Sequence, residues 1–207
     1  MQIISLSPGG FWANTYIITE DGKRAIVIDP AQNNLFAELE RRGLQVEAVL
    51  LTHCHFDHVR FAAQMQRLGV KVYCSFPESG LVGTDADLIK RFQAPCDPYT
   101  VDETFVDGEE KTLAGMSVHC IHTPGHTAGS CCYLFTAKDG KRYLFTGDTL
   151  FLGCIGRIDF PTGDGKQMRS SLKKLYNLEG DMPVFAGHED ETTLEQERKT
   201  NPYMQNL

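Results

Sequence analysis

Seven side chains of this sequence have the types and spacing for metal chemistry. Three histidines and an aspartate crowd the run "HCHFDH" (His53, His55, Asp57 and His58), and His126 in "PGHT", Asp148 in "GDT" and His188 in "GHE" follow downstream. Imidazole and carboxylate without thiolate suit zinc, and also iron or manganese. In a near-extended loop His53 and His55 point the same way and can grip one cation together. Asp57 and His58 are adjacent and diverge, so they fit a second, displaced cation at the start of the following helix. Asp148 has two oxygens and can bridge. A single histidine after a strand is more often a hydrogen-bonded loop residue, and His119 and His122 are read that way. Four motifs of the same kind are not.

The elements around these residues explain how they could converge. "TYIIT" and "AIVIDP" read as strands joined by an Asp-Gly turn, and "YLFT" and "RYLFTGD" surround a second one. "VEAVLLT", "VKVYC", "KTLAG", "MSVHCIHT" and "MPVFAG" supply further strands. "NNLFAELERRG", "VRFAAQMQRLG", the stretch 79–92, "KQMRSSLKKLY" and "TTLEQERKT" read as helices. The stretch "APCDPYT" reads as irregular. Strands interleaved with helices in two successive halves predict two sheets covered by helices. Four strands each deliver histidine or aspartate just past their C-terminal ends, the edge where α/β folds build sites.

Composition bounds the rest. The 207 residues, 42% hydrophobic, suffice for one packed domain spanning 1–207 and show no linker or repeat. A net charge of −7 argues against a nucleic-acid surface. No apolar run suits a membrane span, and the N-terminal residues lack a signal-peptide pattern. The seven cysteines are odd in number and scattered, which predicts small buried hydrophobes rather than a disulfide framework. Vicinal Cys131 and Cys132 should point to opposite faces of a strand. A cytoplasmic protein is expected; oligomeric state is left open.

The set His53-x-His55-x-Asp57-His58, followed by His126, Asp148 and His188, resembles the signature of the metallo-β-lactamase superfamily, over essentially the whole chain. "GDTLFLGCIGRIDFPTGD" and "ERKTNPYMQNL" look like its glyoxalase II-like hydrolases. The resemblance implies an α/β fold, the αββα sandwich of two mixed sheets flanked by helices. It implies a first metal held by His53, His55 and His126, a second by Asp57, His58 and His188, and Asp148 bridging both. Asp29, in "VIDPA", would orient a ligand histidine. Arg157 resembles a glutathione-contacting lysine, while Val59, Arg60 and Phe61 replace the usual x-Gly-Gly. Arg60 is expected to pair with an acid or narrow the entrance, and Cys154 to be a buried bystander or to line the pocket. Secreted β-lactamases lack the counterpart of Asp148, and flavodiiron proteins carry glutamate in place of His55. The chain ends 19 residues after His188, so glyoxalase II's C-terminal helical domain is expected to be absent and a thiol loosely held.

The expected activity is hydrolysis of acyl thioesters of small thiols, S-lactoylglutathione being the type substrate. Two divalent cations, two aspartates and a bridging hydroxide leave one net positive charge. Such a site brings bound water towards a pKa of ~7 and stabilises the oxyanion formed at the carbonyl. Asp57 is also assigned a proton-handling role. The alternative is a mononuclear-iron persulfide dioxygenase, a related branch that shares G-R-x-D-F and E-R-x-x-N-P.

Overall fold

A computed structural model describes residues 1–7, 11–205 and 207 of the chain. Asn206, in the closing stretch "NPYMQNL", lies outside the described residues. β1 (Gln2–Leu6), β2 (Thr15–Thr19) and β3 (Arg24–Ile28) form an antiparallel meander. The Asp21 carboxylate accepts from the backbone N–H groups of Lys23 and Arg24 and so fastens the β2–β3 turn. α1 (Leu35–Arg42) then crosses to β4 (Gln45–Leu50), ending on Gly43 in the left-handed conformation. α2 (Phe56–Val59) and α3 (Ala62–Arg67) lead to β5 (Lys71–Ser75); α4 (Phe76–Ser79) and α5 (Ile89–Phe92) lead to β6 (Glu103–Phe105). β3 to β6 are parallel.

The second half contributes β7 (Glu110–Leu113), β8 (Met116–His122), β9 (Cys131–Thr136) and β10 (Arg142–Gly147). A small ribbon, β11 (Leu150–Phe151) with β12 (Cys154–Ile155), precedes α6 (Gly165–Tyr176). β13 (Pro183–Ala186), β14 (Thr192–Thr193) and α7 (Leu194–Thr200) close the fold. Among the described residues the order in this sheet is β14-β13-β10-β9-β8-β7. β9 is antiparallel to both β8 and β10, and β10 is parallel to β13, so β8, β10 and β13 all end at the same edge.

Three apolar layers define the sandwich. Between the sheets lie Ile26, Ile28, Leu50 and Phe105 of the first and Val118, Tyr133, Phe145 and Phe185 of the second. The outer face of the first sheet (Ile17, Val27, Val49, Val72) packs on Leu35, Leu39 and Met65 of α1 and α3. The outer face of the second (Cys132, Leu134, Leu144, Val184) packs on Met168, Leu172 and Leu175 of α6 and Leu194 of α7. Period-two alternation delivers one row of each strand to the middle layer and the other to the helices. Cys131 and Cys132 obey it, the first facing the middle and the second α6. This is the αββα architecture of two mixed sheets expected above.

Local departures have local causes. The single helix expected over 79–92 is two short helices and a 3₁₀ turn at Asp85–Asp87, broken where Gly83 and Leu88 adopt positive φ of 78° and 63°. The helix expected from Val59 to Gly69 is split, because α2 already begins at Phe56 and ends before Phe61 caps α3. β6 was not anticipated; its three residues are too few for a period to show. Both Asp-Gly turns do join antiparallel neighbours. Among the described residues no helix is long and apolar enough to cross a membrane.

Candidate metal centre

The loop after β4, in the first sheet, carries His53, His55, Asp57 and His58. The loops after β8, β10 and β13, in the second, carry His126, Asp148 and His188. All seven meet at one end of the sandwich. The ligand atoms fall into the groups His53–His55–His126, His53–His58–Asp148 and Asp57–His58–His188, each within 4.8 Å. Asp148 Oδ1 lies 3.3 Å from His58 Nε2, and Asp148 Oδ2 lies 3.5 Å from His126 Nε2 and 3.7 Å from His188 Nε2. Its carboxylate therefore stands between the two triads that the resemblance assigns to separate metals. Asp57 Oδ2 reaches His188 Nε2 at 3.3 Å.

Backbone space limits what can flank these groups. A Cβ on Gly187 would sit 2.2 Å from Asp148 Oδ1 and 2.7 Å from His58 Cε1. Gly147, at φ 48°, would drive a Cβ to 2.3 Å from Thr52 Oγ1. The glycines before Asp148 and His188 are thus what lets β10 and β13 bring those two side chains close to the loop after β4.

Hydrogen bonds set the tautomers. Asp29 Oδ2 lies 2.9 Å from His58 Nδ1 and accepts from Thr52 Oγ1 at 2.7 Å; Asp29 Oδ1 accepts from the Thr52 backbone N–H. A carboxylate only accepts, so His58 Nδ1 carries a proton and Nε2 is the nitrogen turned to the site. Thr52 has spent its hydroxyl proton on Asp29, so at 3.1 Å it accepts from His53 Nδ1, which leaves His53 Nε2 bare as well. The Arg157 carbonyl likewise accepts from His126 Nδ1 at 2.7 Å. His126 Nε2 then faces His55 Nδ1 at 2.8 Å, and the proton between them must belong to His55.

These groups fit a metal. His53 Nε2, His55 Nε2, His58 Nε2 and Asp148 Oδ1 are buried without a hydrogen-bond partner, a costly arrangement that cations would relieve. Burial and neighbouring charges push the protonation of these groups in opposite directions. Burial, then the neighbouring His58, holds His53 well below the usual histidine range, and burial with His126 takes His55 down to about 3. Burial also opposes charge on His58, yet Asp148 and Asp29 outweigh it and raise that ring well above its usual value. Asp148 is desolvated too, but His58, His126 and His188 keep it ionised far below the ordinary carboxylate range.

Above the cluster opens a cavity of about 1020 Å³, its lining including Trp12, Asp57, Phe92, Arg157, Phe160 and His188. Arg157 stacks on Phe160 at 3.8 Å and forms a two-pronged pair with Asp159 at 2.7 Å. Arg60 lies over Trp12 at 4.4 Å and Phe61 at 5.1 Å; it backs the entrance wall and does not line the cavity. Cys154 is exposed and does not line it either, contrary to both readings above, because the β11–β12 ribbon turns it outward. His122 Nε2 contacts the Ala128 carbonyl at 3.1 Å, outside the cluster. Sequence reasoning missed Glu78. Fully buried, it accepts from the Cys54 backbone N–H and the Thr127 hydroxyl, both at 2.7 Å, and so ties the two principal ligand loops together. Its only signal was a carboxylate in the otherwise ordinary "CSFPES".

Residues 9–188 match the metallo-beta-lactamase superfamily. The chain belongs to this superfamily. It is similar to the hydroxyacylglutathione hydrolase GloC of Haemophilus influenzae, 36% identical over 99% of this chain and 98% of the relative. A hydroxyacylglutathione hydrolase of Francisella tularensis subsp. novicida is 33% identical over 85% of this chain, which spans 63% of that longer relative. Among solved structures, the BLEG-1 B3 metallo-beta-lactamase superposes with a TM-score of 0.87 at 29% identity, covering 98% of this chain and 99% of the other. TTHA1623 in a di-iron-bound form gives 0.81 at 32%, covering 97% and 99%. ETHE1 from Myxococcus xanthus gives 0.78 at 25%, covering 98% and 84%. This superfamily member is a metal-dependent hydrolase.

Proposed function

We propose that the chain is a dinuclear hydrolase of acyl thioesters of small thiols. Metal 1 is assigned to His53, His55 and His126, metal 2 to Asp57, His58 and His188, and the bridge to Asp148. The observation that carries this reading is the position of Asp148 between two complete triads. When bound, two divalent cations, zinc by donor type although iron or manganese share the preference, supply a water acidic enough to deliver hydroxide near neutral pH.

The protein's own groups do the rest. Asp29, through Thr52 for His53 and directly for His58, and the Arg157 carbonyl for His126 each hold a proton on Nδ1, so Nε2 is the nitrogen that all three rings turn to the site. Asp57, whose Oδ2 lies beside His188 Nε2 and which lines the cavity, is also assigned a part in proton handling. The aromatic walls limit water around the reacting carbonyl, and Arg157, half-exposed beside its Asp159 partner, is the cation assigned to an anionic thiol portion. Similarity to hydroxyacylglutathione hydrolases along the chain supports thioesters as the substrate class. We read residues 1–207 as one domain, supported by the core shared between the sheets, and its seven free cysteines support a reducing, cytoplasmic setting.

A mononuclear-iron persulfide dioxygenase is the second reading, favoured by the run Gly156–Phe160 and by Glu197, Arg198, Asn201 and Pro202. One experiment separates them. Metal-replete protein is given S-lactoylglutathione and, separately, glutathione persulfide, while thiol release and oxygen uptake are followed. Thiol release without oxygen uptake is expected; oxygen uptake with persulfide and no thiol from any thioester would overturn the hydrolase reading.

A further inference from the structure

The cavity lining is unevenly composed. Phe11, Trp12, Phe56, Phe92 and Phe160 make a continuous chain of ring contacts, with successive centroids 4.8, 6.1, 5.0 and 6.1 Å apart. The last ring stands edge-on to His55 at 5.7 Å, so the aromatic surface runs from the mouth to the ligand cluster. Phe11 and Phe92 are 61% and 49% exposed, large apolar surfaces left in water. Arg60 over Trp12, and Arg91 and Arg157 over Phe160 at 5.5 and 3.8 Å, hold rings of this wall in place. Contiguous exposed apolar surface inside a pocket marks the complementary face of a ligand.

A three-carbon hydroxyacyl group cannot cover such a wall. Small biological thiols put a polar amide within a few bonds of sulfur, so the thiol half does not match it either. We infer that the preferred substrate is a thioester whose acyl half bears a ring-sized apolar group, with Arg157 at the end of the wall exchanging its exposed Asp159 partner for an anion of the thiol half. This inference rests on the hydrolase reading for its chemistry, but recognition can be tested without turnover.

Two inert thioethers of 3-mercaptopropionate serve as probes, one S-acetonyl and one S-phenacyl, differing only in methyl against phenyl on the carbonyl. Trp12 is the single tryptophan of the chain and lies in the wall, so its emission reports occupancy there. Calorimetry should show the phenacyl probe binding about tenfold tighter, the scale expected for filling an apolar pocket, and Trp12 emission should shift on saturation. Phe92→Ala, at a half-exposed site where folding is not at risk, should cut the ratio to about threefold or less, and Phe160→Leu should reduce it as well. Equal affinities, an unchanged ratio in Phe92→Ala, or tight phenacyl binding that leaves Trp12 silent would each overturn the inference. In parallel, acetyl and phenylacetyl thioesters of the same thiol are assayed for hydrolysis. Cleavage of both with equal kcat/KM and equal probe affinities sinks the inference and leaves the hydrolase reading intact. Selective probe binding with no thioester cleaved does the reverse.

Discussion

Asp29 Oδ2 stands 2.9 Å from His58 Nδ1 while the same oxygen accepts the Thr52 hydroxyl, whose oxygen in turn serves His53. One buried carboxylate therefore orients one histidine of each proposed metal triad. Asp29 holds φ at 48°, a conformation that asparagine also tolerates. Asp29→Asn should keep the backbone and lose the tautomer control. Metal affinity is expected to fall about 10- to 100-fold, measured by competition with a chromophoric chelator. Affinity equal to the parent would mean that the ligands orient themselves.

Metal content should approach two equivalents per chain by elemental analysis. His58→Ala and His188→Ala should remove mainly one, because both belong to the triad that includes Asp57. A stable single iron in the unmutated protein would favour the dioxygenase reading.

Acid should destabilise the metal-free protein first through its neutral histidines. His55 is depressed to about 3 in the fold, against roughly 6.5 in an unfolded chain. His53 is depressed in the same sense. The unfolded chain then binds more protons between those values, so stability contributed by the neutral rings is lost as pH falls from ~6.5 towards 3. His58 and His188 are raised; their contribution is intact below ~6.5 and fades as pH climbs through their folded values. The thermal midpoint in chelator should therefore peak near neutrality. His55→Ala should flatten the acid side, and a profile unchanged by that substitution would contradict the assignment.

Glu78→Ala would leave the Cys54 N–H and the Thr127 hydroxyl without their buried acceptor. A loss of about 1–3 kcal/mol per orphaned group is expected, read from denaturant midpoints. Glu78→Gln, which still accepts through one oxygen, should recover part of both stability and metal affinity. If the two variants lose metal equally despite different stabilities, the carboxylate's charge rather than its hydrogen bonding positions the loops.

Arg157→Ala should raise KM for an anionic thioester more than it lowers kcat, since a remote anchor holds ground state and transition state alike. The backbone carbonyl that orients His126 survives the substitution. Metal content should be unchanged, which separates the two duties of this residue. A fall in kcat alone would place its side chain nearer the chemistry.

The histidines and aspartates that gather at one end, the strands that deliver them and the layered architecture were legible in the sequence, because each rests on local pattern. Period-two alternation marks a strand, Asp-Gly marks a turn, and the crowded histidines at a strand end have few other uses. Asp29 could be singled out through resemblance. What a linear pattern cannot encode is which distant groups share a hydrogen bond or a wall. Glu78 looked like any surface glutamate until β5 and α4 carried it beneath both ligand loops. Phe11, Phe56, Phe92 and Phe160 lie on separate segments, and only the packing of the α5 region against the loop after β12 makes them one surface. Cys154 and the broken helix over 79–92 failed for a related reason: a two-residue ribbon and positive-φ residues are chosen by tertiary contacts, not by the propensity of their neighbours. The sequence determined which side chains could bind metal and at which strand ends. The tertiary structure decided which carboxylate sits between the triads, which tautomer each ring adopts and what the cavity presents to a substrate, since those depend on distances between residues that are far apart along the chain.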